Sequence, residues 1–185
     1  LKSDIQDLLE SGVAIPRKEV VSTNTATSET KFKGITEAVY SVADGQAVSI
    51  TEVKDPVFAQ KMMGDGYAVE PVNGNVYAPV SGTVTSVFPT KHAVGILSDQ
   101  GVEVLVHVGL DTVALNGAPF STKVADAQHV QAGDLLLVAD LDAIRSADRE
   151  TTIVVAFTNS AEIKSVSLVN LRQVSKDSQV AIVEL

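Results

Sequence analysis

The sequence predicts an all-β fold, an antiparallel β-sandwich or barrel, over residues 38–185. Short apolar runs in this region are interrupted by Gly, Pro, Asn and Asp roughly every 8 to 12 residues, which is typical of such folds. In addition, Val39-Tyr40 is followed five residues after the tyrosine by Gly45, and Val76-Tyr77 is followed in the same way by Gly82. On these letters alone, the echo indicates either a duplicated strand unit or a coincidence.

Residues 1–37 differ from the predicted domain in composition. Residues 1–10 carry apolar side chains at helical spacing, with Ser3 and Gln6 placed as a capping box, so we expect a short helix. Residues 17–33 are rich in Ser and Thr and nearly free of large apolar residues, which predicts a flexible linker. The helix is interpreted as the end of a preceding domain or as a solvated tail. The first residue is not Met, so we expect a fragment or a processed product.

Composition limits the classes of function. The chain has 185 residues, 45% of them hydrophobic, enough for one good core. It contains no cysteine, which excludes disulfides and thiolate chemistry and suits a reducing cytoplasm. A net charge of -9 argues against nucleic acid or an anionic membrane as partner and is compatible with a basic protein. Neither a membrane span nor a signal peptide is expected from the sequence.

Helical turns are expected at only two places after residue 38. Residues 140–146 are one candidate, and residues 160–164 are a weaker one. Both segments are short, so neither changes the prediction of an all-β domain.

An apolar strand within residues 101–117 contains the most suggestive residue, His107. Strict alternation puts four valines on one face, which we expect to be buried, and Glu103, Leu105 and His107 on the other. We therefore expect Leu105 to be exposed beside His107. A nucleophilic imidazole near the end of a rigid strand, beside an exposed leucine, fits a site that meets another protein.

A second apolar run, residues 91–97, precedes this strand, and residues 98–101 predict a turn between the two. If the turn centres on Asp99 and Gln100, facing residue numbers sum to 199, which places His92 opposite His107. Facing Cβ atoms lie about 4.5 to 5.5 Å apart, so the two imidazoles could share a phosphoryl group or bind a metal such as Zn²⁺. A bulge at Gly101 would shift this register by one residue.

The order of residue types from 101 to 113 resembles a known phosphorylation-site signature. It reads Gly, two residues, three apolar residues, His, apolar, Gly, apolar, one residue, Thr, apolar. This resembles the glucose-type enzyme IIA domains of the bacterial phosphoenolpyruvate-dependent sugar phosphotransferase system. Further blocks resemble the same family in the same order, at residues 54–71, 76–84, 88–99 and 130–146. The resemblance covers roughly residues 38–185 and implies a sandwich with a duplicated strand unit.

The resemblance also implies the chemistry. His107 would accept the phosphoryl group as a covalent phosphohistidine, His92 would stabilise that group, and Thr90 would orient His92. A neutral histidine suits this role because its ordinary pKa near 6.5 leaves one nitrogen free at neutral pH. No cofactor or metal is required for this transfer.

Partners follow from the same resemblance. The domain would take phosphate from an HPr-type phosphocarrier and pass it to a IIB domain during sugar uptake, on the cytoplasmic side of a membrane transporter to which it is fused. An exposed apolar ring is expected for docking. Its members would be Phe58, Met63, Phe88, Leu105 and Val113, with Asp55 and Asp111 as acidic points at the rim.

Two other readings of the histidine pair remain open. A zinc hydrolase would need a third firm ligand beside His92, His107 and a carboxylate such as Asp111, together with a general base. A regulatory binding module would use phosphorylation of His107 to change which proteins dock, and this role is compatible with phosphoryl transfer.

Overall fold

A computed structural model describes residues 34–185 of the protein. The helix expected over residues 1–10 and the linker expected over residues 17–33 lie outside the described residues. Within residues 34–185 the chain forms fourteen strands. The strands are β1 (Thr36–Tyr40), β2 (Gly45–Ser49), β3 (Asp65–Pro71), β4 (Asn75–Tyr77), β5 (Gly82–Val87), β6 (Ala93–Ser98), β7 (Glu103–Val108), β8 (Phe120–Thr122), β9 (His129–Val130), β10 (Leu135–Ala139), β11 (Ile153–Phe157), β12 (Ser165–Leu168), β13 (Gln173–Val174) and β14 (Gln179–Glu184).

Three antiparallel sheets make up the domain. The largest has eight strands in the order β13-β2-β3-β11-β7-β6-β5-β9, and the two others have the orders β1-β14-β12 and β4-β10-β8. The main core combines buried side chains of all three sheets, such as Val104 of β7, Val183 of β14 and Leu137 of β10. The predicted antiparallel β-sandwich is therefore confirmed.

Helical segments in the described part of the chain are few and short. Its two α-helices are α1 (Pro56–Ala59) and α2 (Leu141–Ser146), and 3₁₀ turns occur at Ile50–Glu52, Thr112–Leu115 and Ser160–Glu162. Helical turns were expected at the positions of α2 and of the last 3₁₀ turn. The expectation of only two such places is wrong, because segments of three or four residues are too short to show a helical period.

Reciprocal hydrogen bonds show that the strand unit is duplicated. The backbone nitrogen of Tyr40 donates to the carbonyl of Pro79 at 2.9 Å, and the nitrogen of Tyr77 donates to the carbonyl of Val42 at 2.7 Å. Tyr77 lies 37 positions after Tyr40, and Pro79 lies 37 positions after Val42. The two hydrogen bonds are therefore equivalent and are related by a two-fold axis. The echo in the sequence is thus a structural repeat.

The repeated glycines have the same function in both copies. A Cβ on Gly45 would overlap the carbonyl oxygen of Glu70 on β3, and a Cβ on Gly82 would overlap that of Leu97 on β6. Only glycine allows the paired backbones to approach this closely. The two copies therefore begin their second strands with the same steric requirement.

The pseudo-two-fold axis passes between β7 and β11 at the centre of the large sheet. His107 pairs with Ala93 on one side of this axis, and Ala156 pairs with Gly66 at the corresponding place on the other. Ala156 is consequently the structural counterpart of His107, and the two copies share one backbone arrangement with different side chains.

Candidate functional site

The observed hairpin register differs from the predicted one by one residue. His107 faces Ala93 rather than His92, so the expected sum of 199 is wrong and the correct sum is 200. Gly101 explains the difference, because its φ of +102° lengthens the loop to three residues, closed by a bond from Ser98 N to the carbonyl of Val102 at 2.8 Å. A two-residue turn would have given the predicted register.

The two histidine rings nevertheless lie together. His92 immediately precedes β6, and its carbonyl accepts a hydrogen bond from the nitrogen of Val108 at 2.7 Å, which extends the ladder by one step. The ring centroids of His92 and His107 are 4.9 Å apart, and the ring planes are nearly perpendicular at 83°. A group bound to the outer nitrogen of one ring therefore lies within reach of the other.

His107 is held in a single orientation at the end of β7. Its Nδ1 lies 2.9 Å from the carbonyl oxygen of Gly109. A carbonyl only accepts hydrogen bonds, so Nδ1 carries the proton and Nε2 keeps a free lone pair. The ring remains partly exposed, so Nε2 is the nitrogen available to an incoming reactant.

The pKa of His107 is lowered from its ordinary value of 6.5 to about 4, mainly by burial and to a smaller extent by the neighbouring His92. The hydrogen bond to Gly109 and the negative charge of Asp111 oppose this shift. The ring is thus neutral near pH 7. A neutral, oriented imidazole is a competent nucleophile.

His92 lies deeper than His107, with 3% of its surface exposed. Burial lowers its pKa as well. The hydroxyl of Thr90 lies 2.6 Å from Nδ1 of His92. When that hydroxyl donates to Nδ1, the proton of the neutral ring lies on Nε2, which can then donate a hydrogen bond to an anionic oxygen near His107.

The prediction of an exposed apolar ring is wrong for three of its five members. Phe58, Phe88 and Leu105 are buried, with 6%, 7% and 0% of their surface exposed. They enclose the histidines: the ring of Phe58 lies 5.0 Å from that of His107, and the ring of Phe88 lies 5.8 Å from that of His92. Alternation identified the face of Leu105 correctly but did not reveal what covers that face.

Met63 and Val113 remain at the surface to different degrees. Met63 is partly buried and packs against both small apolar clusters, one containing Phe58 and the other containing Phe88. Val113 is 51% exposed in the 3₁₀ turn that follows β7. Two further exposed apolar residues, Val57 and Met62, lie in or just after α1 and were missed, although they fall within a sequence block that resembles the family.

The two predicted acidic residues have backbone roles as well. The carboxylate of Asp55 accepts a hydrogen bond from the nitrogen of Val57 at 2.9 Å and caps α1, which carries Phe58. Asp111 is exposed, adopts a φ of +58°, and its carbonyl accepts a bond from Nε of Arg149 at 3.3 Å. Sequence reasoning did not predict Arg149, which has no motif of its own.

Gly109 contacts His107, although sequence reasoning assigned it no role. The signature of residues 101–113 contains it, and that position was the available signal. Its φ of +77° turns the chain so that its carbonyl meets Nδ1 of His107.

Within residues 34–185, no group of three or more His, Cys, Asp or Glu side chains is arranged to hold a metal ion. His92 and His107 thus lack a third protein ligand in that part of the chain, which a hydrolytic zinc site would require.

The same residues contain no helix that is both long enough and apolar enough to span a membrane.

Known proteins resemble this chain along most of its length. The family described as phosphoenolpyruvate-dependent sugar phosphotransferase system, EIIA 1, matches residues 37–163. A glucose-specific EIICBA component of this system from Streptococcus pneumoniae is 61% identical over 100% of the chain. A glucosamine-specific EIICBA component from Bacillus subtilis is 40% identical over 88% of the chain. The chain spans only 26% and 25% of those two proteins, about a quarter of their length.

A solved structure is also similar. The glucose permease IIA from Mycoplasma capricolum superposes with a TM-score of 0.73 at 38% identity, covering 80% of this chain and 96% of that one.

Proposed function

The chain belongs to the EIIA 1 family of the phosphoenolpyruvate-dependent sugar phosphotransferase system, and from this premise we propose that His107 is its phosphoryl acceptor. As an EIIA domain it is a phosphotransferase component of that system. The observation that carries the proposal is the bond from Nδ1 of His107 to the carbonyl of Gly109, which leaves the lone pair of Nε2 free on a partly exposed residue.

The transfer involves one bond formed and one bond broken. The lone pair on Nε2 of His107 attacks the phosphorus of a phosphohistidine on the donor, and the donor's nitrogen–phosphorus bond breaks as the new one forms. The electron pair of the broken bond returns to the donor imidazole. Since the attacking ring is already neutral near pH 7, no base is required. Catalysis then rests on positioning and on stabilising the phosphoryl oxygens.

His92 supplies that stabilisation in the proposed mechanism. Its ring lies 4.9 Å from that of His107, and its Nε2–H can donate to a phosphoryl oxygen. Such a charge-assisted hydrogen bond stabilises by about 1.5 to 3 kcal/mol. Thr90 keeps the ring in the required tautomer through its hydroxyl, 2.6 Å from Nδ1. No cofactor takes part in this scheme.

Docking of the partners would use the surface around the two histidines. Val57, Met62 and Val113 expose apolar side chains there, and Asp55 and Asp111 add negative charge. This combination suits a phosphocarrier of the HPr type with a basic docking face. The phosphoryl group would continue to a IIB domain.

The organisation of the relatives supports a proposal for the longer protein. The curated relatives are EIICBA components, of which this chain corresponds to about a quarter. Because β1 begins at Thr36, the domain starts at least two residues before the expected residue 38. We propose that this IIA domain is fused to a sugar permease, on the cytoplasmic side of the membrane.

A loading assay tests the proposed roles. The chain is incubated with phosphoenolpyruvate, enzyme I and HPr. We expect an acid-labile, base-stable phosphoadduct on the unaltered protein and none on His107→Ala. His129→Gln is the matched control, because His129 is exposed and bonded to Asp99 instead, and it should load normally.

Onward transfer to a IIB domain separates the other two roles. His92→Gln keeps a neutral donor near the phosphoryl oxygens, so it should load but transfer poorly. Thr90→Val should be intermediate, through loss of ring orientation. Loading of His107→Ala together with failure of His92→Gln to load would mean that the roles are reversed. If neither substitution changed loading or transfer, the site would lie elsewhere.

A further inference from the structure

Thr112 is completely buried in the turn that follows β7, yet the phosphoryl-transfer scheme gives it no role. Its hydroxyl donates to the carbonyl of Val108 at 2.5 Å. Its methyl group occupies the space where a Cβ on Gly109 would lie. A single side chain thus contacts the backbone on both sides of the peptide that joins Val108 to Gly109.

The two residues that this peptide joins make hydrogen bonds with both histidines. The nitrogen of Val108 donates to the carbonyl of His92 at 2.7 Å, and the carbonyl of Gly109 accepts from Nδ1 of His107 at 2.9 Å. The nitrogen of Gly109 donates to the carbonyl of Thr152 on the neighbouring segment at 2.9 Å. The backbone nitrogens and carbonyls of Val108 and Gly109 therefore all have hydrogen-bond partners.

Without Thr112 the turn would have more freedom than its neighbours. Gly109 has a φ of +77° and no side chain to restrict rotation, and Asp111 has a φ of +58° on an exposed position. The hydroxyl of Thr112 closes the turn by bonding four residues back, and its methyl group restricts the glycine sterically. Both constraints act on the carbonyl that His107 requires.

We propose that Thr112 is a positioning residue that holds the Gly109 carbonyl against Nδ1 of His107, so that Nε2 remains the free nucleophile. This inference rests on the proposed function of His107. The hydroxyl of Thr112 bonds to Val108 and its methyl group meets Gly109, so the side chain acts through the backbone of these two residues.

The two parts of the side chain can be removed separately. Thr112→Val keeps the methyl group but leaves the carbonyl of Val108 without its buried donor, whereas Thr112→Ser keeps the donor and loses the methyl group. Ser41→Ala is a matched control: Ser41 is also fully buried, and its hydroxyl donates to the carbonyl of Ala43 at 2.6 Å, outside the site. It removes the same kind of bond without touching the turn.

The first readout is the tautomer of His107 in the unphosphorylated 185-residue chain, measured from its ring ¹⁵N chemical shifts. The unaltered protein, Thr112→Ser and Ser41→Ala should all show a protonated Nδ1 and an unprotonated Nε2. Thr112→Val should show a mixture of the two tautomers. The second readout is the rate of loading from phosphorylated HPr. This rate should fall about tenfold or more in Thr112→Val, because small misplacements of a reacting group cost up to about a hundredfold, and by less than about threefold in the other two variants.

Three outcomes would overturn the inference. The first is a folded Thr112→Val with the normal tautomer and loading rate, because its role would then be structural only, as in Ser41→Ala. The second is a folded Thr112→Ala with the normal tautomer and loading rate, because alanine lacks both the hydroxyl and the methyl group; this variant also decides the matter if Thr112→Val does not fold. The third is an unaltered protein that shows a mixed tautomer. Loading of the unaltered protein on a residue other than His107 would instead contradict the proposed function, while the tautomer measurement would still test Thr112.

Discussion

The two copies of the repeated strand unit share a backbone but differ in chemistry. His107 on β7 corresponds to Ala156 on β11, and by the same register His92 corresponds to Asp65. Steric requirements recur in both copies, as the glycines that begin β2 and β5 show. Residues that recur therefore serve the scaffold, and residues found in one copy only are candidates for the site.

The turns after the two central strands show the same contrast. The nitrogen of Gly109 donates to the carbonyl of Thr152, and its counterpart, the nitrogen of Thr158, donates to the carbonyl of Glu103, both at 2.9 Å. Only Gly109 of this pair has a positive φ, which brings its carbonyl back to His107. We call the copy that contains His107 the site copy and the other the plain copy. At this turn the two copies differ in the backbone conformation of one residue.

The largest expected effect tests the shared scaffold. Gly45→Ala and Gly82→Ala should each lower the free energy of unfolding by about 3 kcal/mol or more, because each new Cβ would overlap a backbone carbonyl that cannot move alone. Thermal or urea unfolding measures this. Gly133→Ala is the control: its φ is +93° but nothing lies within 4 Å, so only the backbone strain of about 1 kcal/mol applies. If Gly45→Ala or Gly82→Ala lowered the free energy of unfolding no more than Gly133→Ala does, the two copies would not share this steric constraint.

The second prediction concerns His107, which titrates, whereas its counterpart Ala156 in the other copy does not. The pKa of His107 is lowered to about 4 in the folded protein, against 6.5 in an unfolded chain. Between these values the unfolded chain binds a proton that the folded ring does not, so the free energy of unfolding decreases as pH falls from 6.5 towards 4. His107→Gln should show a smaller decrease, by about 1 to 3 kcal/mol over this range.

Urea unfolding at a series of pH values measures that difference. Comparing the two proteins also cancels Glu103, whose pKa burial and Glu162 raise to about 6 and whose contribution to stability has the opposite sign. Identical pH profiles would contradict the lowered pKa of His107.

A smaller effect is expected for the N-terminal cap of α1, the helix that places Phe58 beside His107. Asp55→Ala removes the bond to the nitrogen of Val57 and should cost about 1 kcal/mol of stability. Because α1 places Phe58 against His107, loading from phosphorylated HPr should also slow by a few fold. Asp55→Asn keeps a capping oxygen and is the matched variant. If it slows loading as much as Asp55→Ala does, the charge rather than the cap is what matters.

The smallest effect is expected at Asp65, the counterpart of His92. Its side chain accepts from the nitrogen of Gly66 at 2.8 Å and pairs with exposed Lys61 at 3.4 Å. Asp65→Asn should change stability by no more than about 0.5 kcal/mol, since exposed ion pairs contribute little. Loading and transfer rates should stay within about twofold. A large loss of transfer would show that the plain copy also takes part in the chemistry.

The fold was accessible from the sequence because its signals are local and repeated. Punctuation by turn residues predicted the sandwich, and the echo of Val39-Tyr40 at Val76-Tyr77 was confirmed as a structural repeat. Helix α1 was missed although Asp55 and Pro56 form a normal helix start, because four residues show no period.

The proximity of His92 and His107 was predictable from the sequence, but the register of their strands was not. The register depended on one dihedral angle at Gly101, which sequence spacing does not determine. The burial of Phe58 and Leu105 depends on α1 and Met63 folding over the sheet, a tertiary contact that strand alternation does not encode. Which residue of a pair reacts stays a prediction until it is tested by chemistry.

The most direct test of the account is the position of phosphorus in the phosphorylated protein. The 185-residue chain, labelled with ¹⁵N and loaded through enzyme I and HPr, is examined by ¹⁵N and ³¹P NMR under alkaline conditions that preserve phosphohistidine. We predict a single phosphorylated ring, that of His107, with phosphorus bonded to Nε2 and Nδ1 still protonated towards Gly109. Phosphorus on Nδ1 of His107, or on His92, would contradict the orientation from which the mechanism is derived.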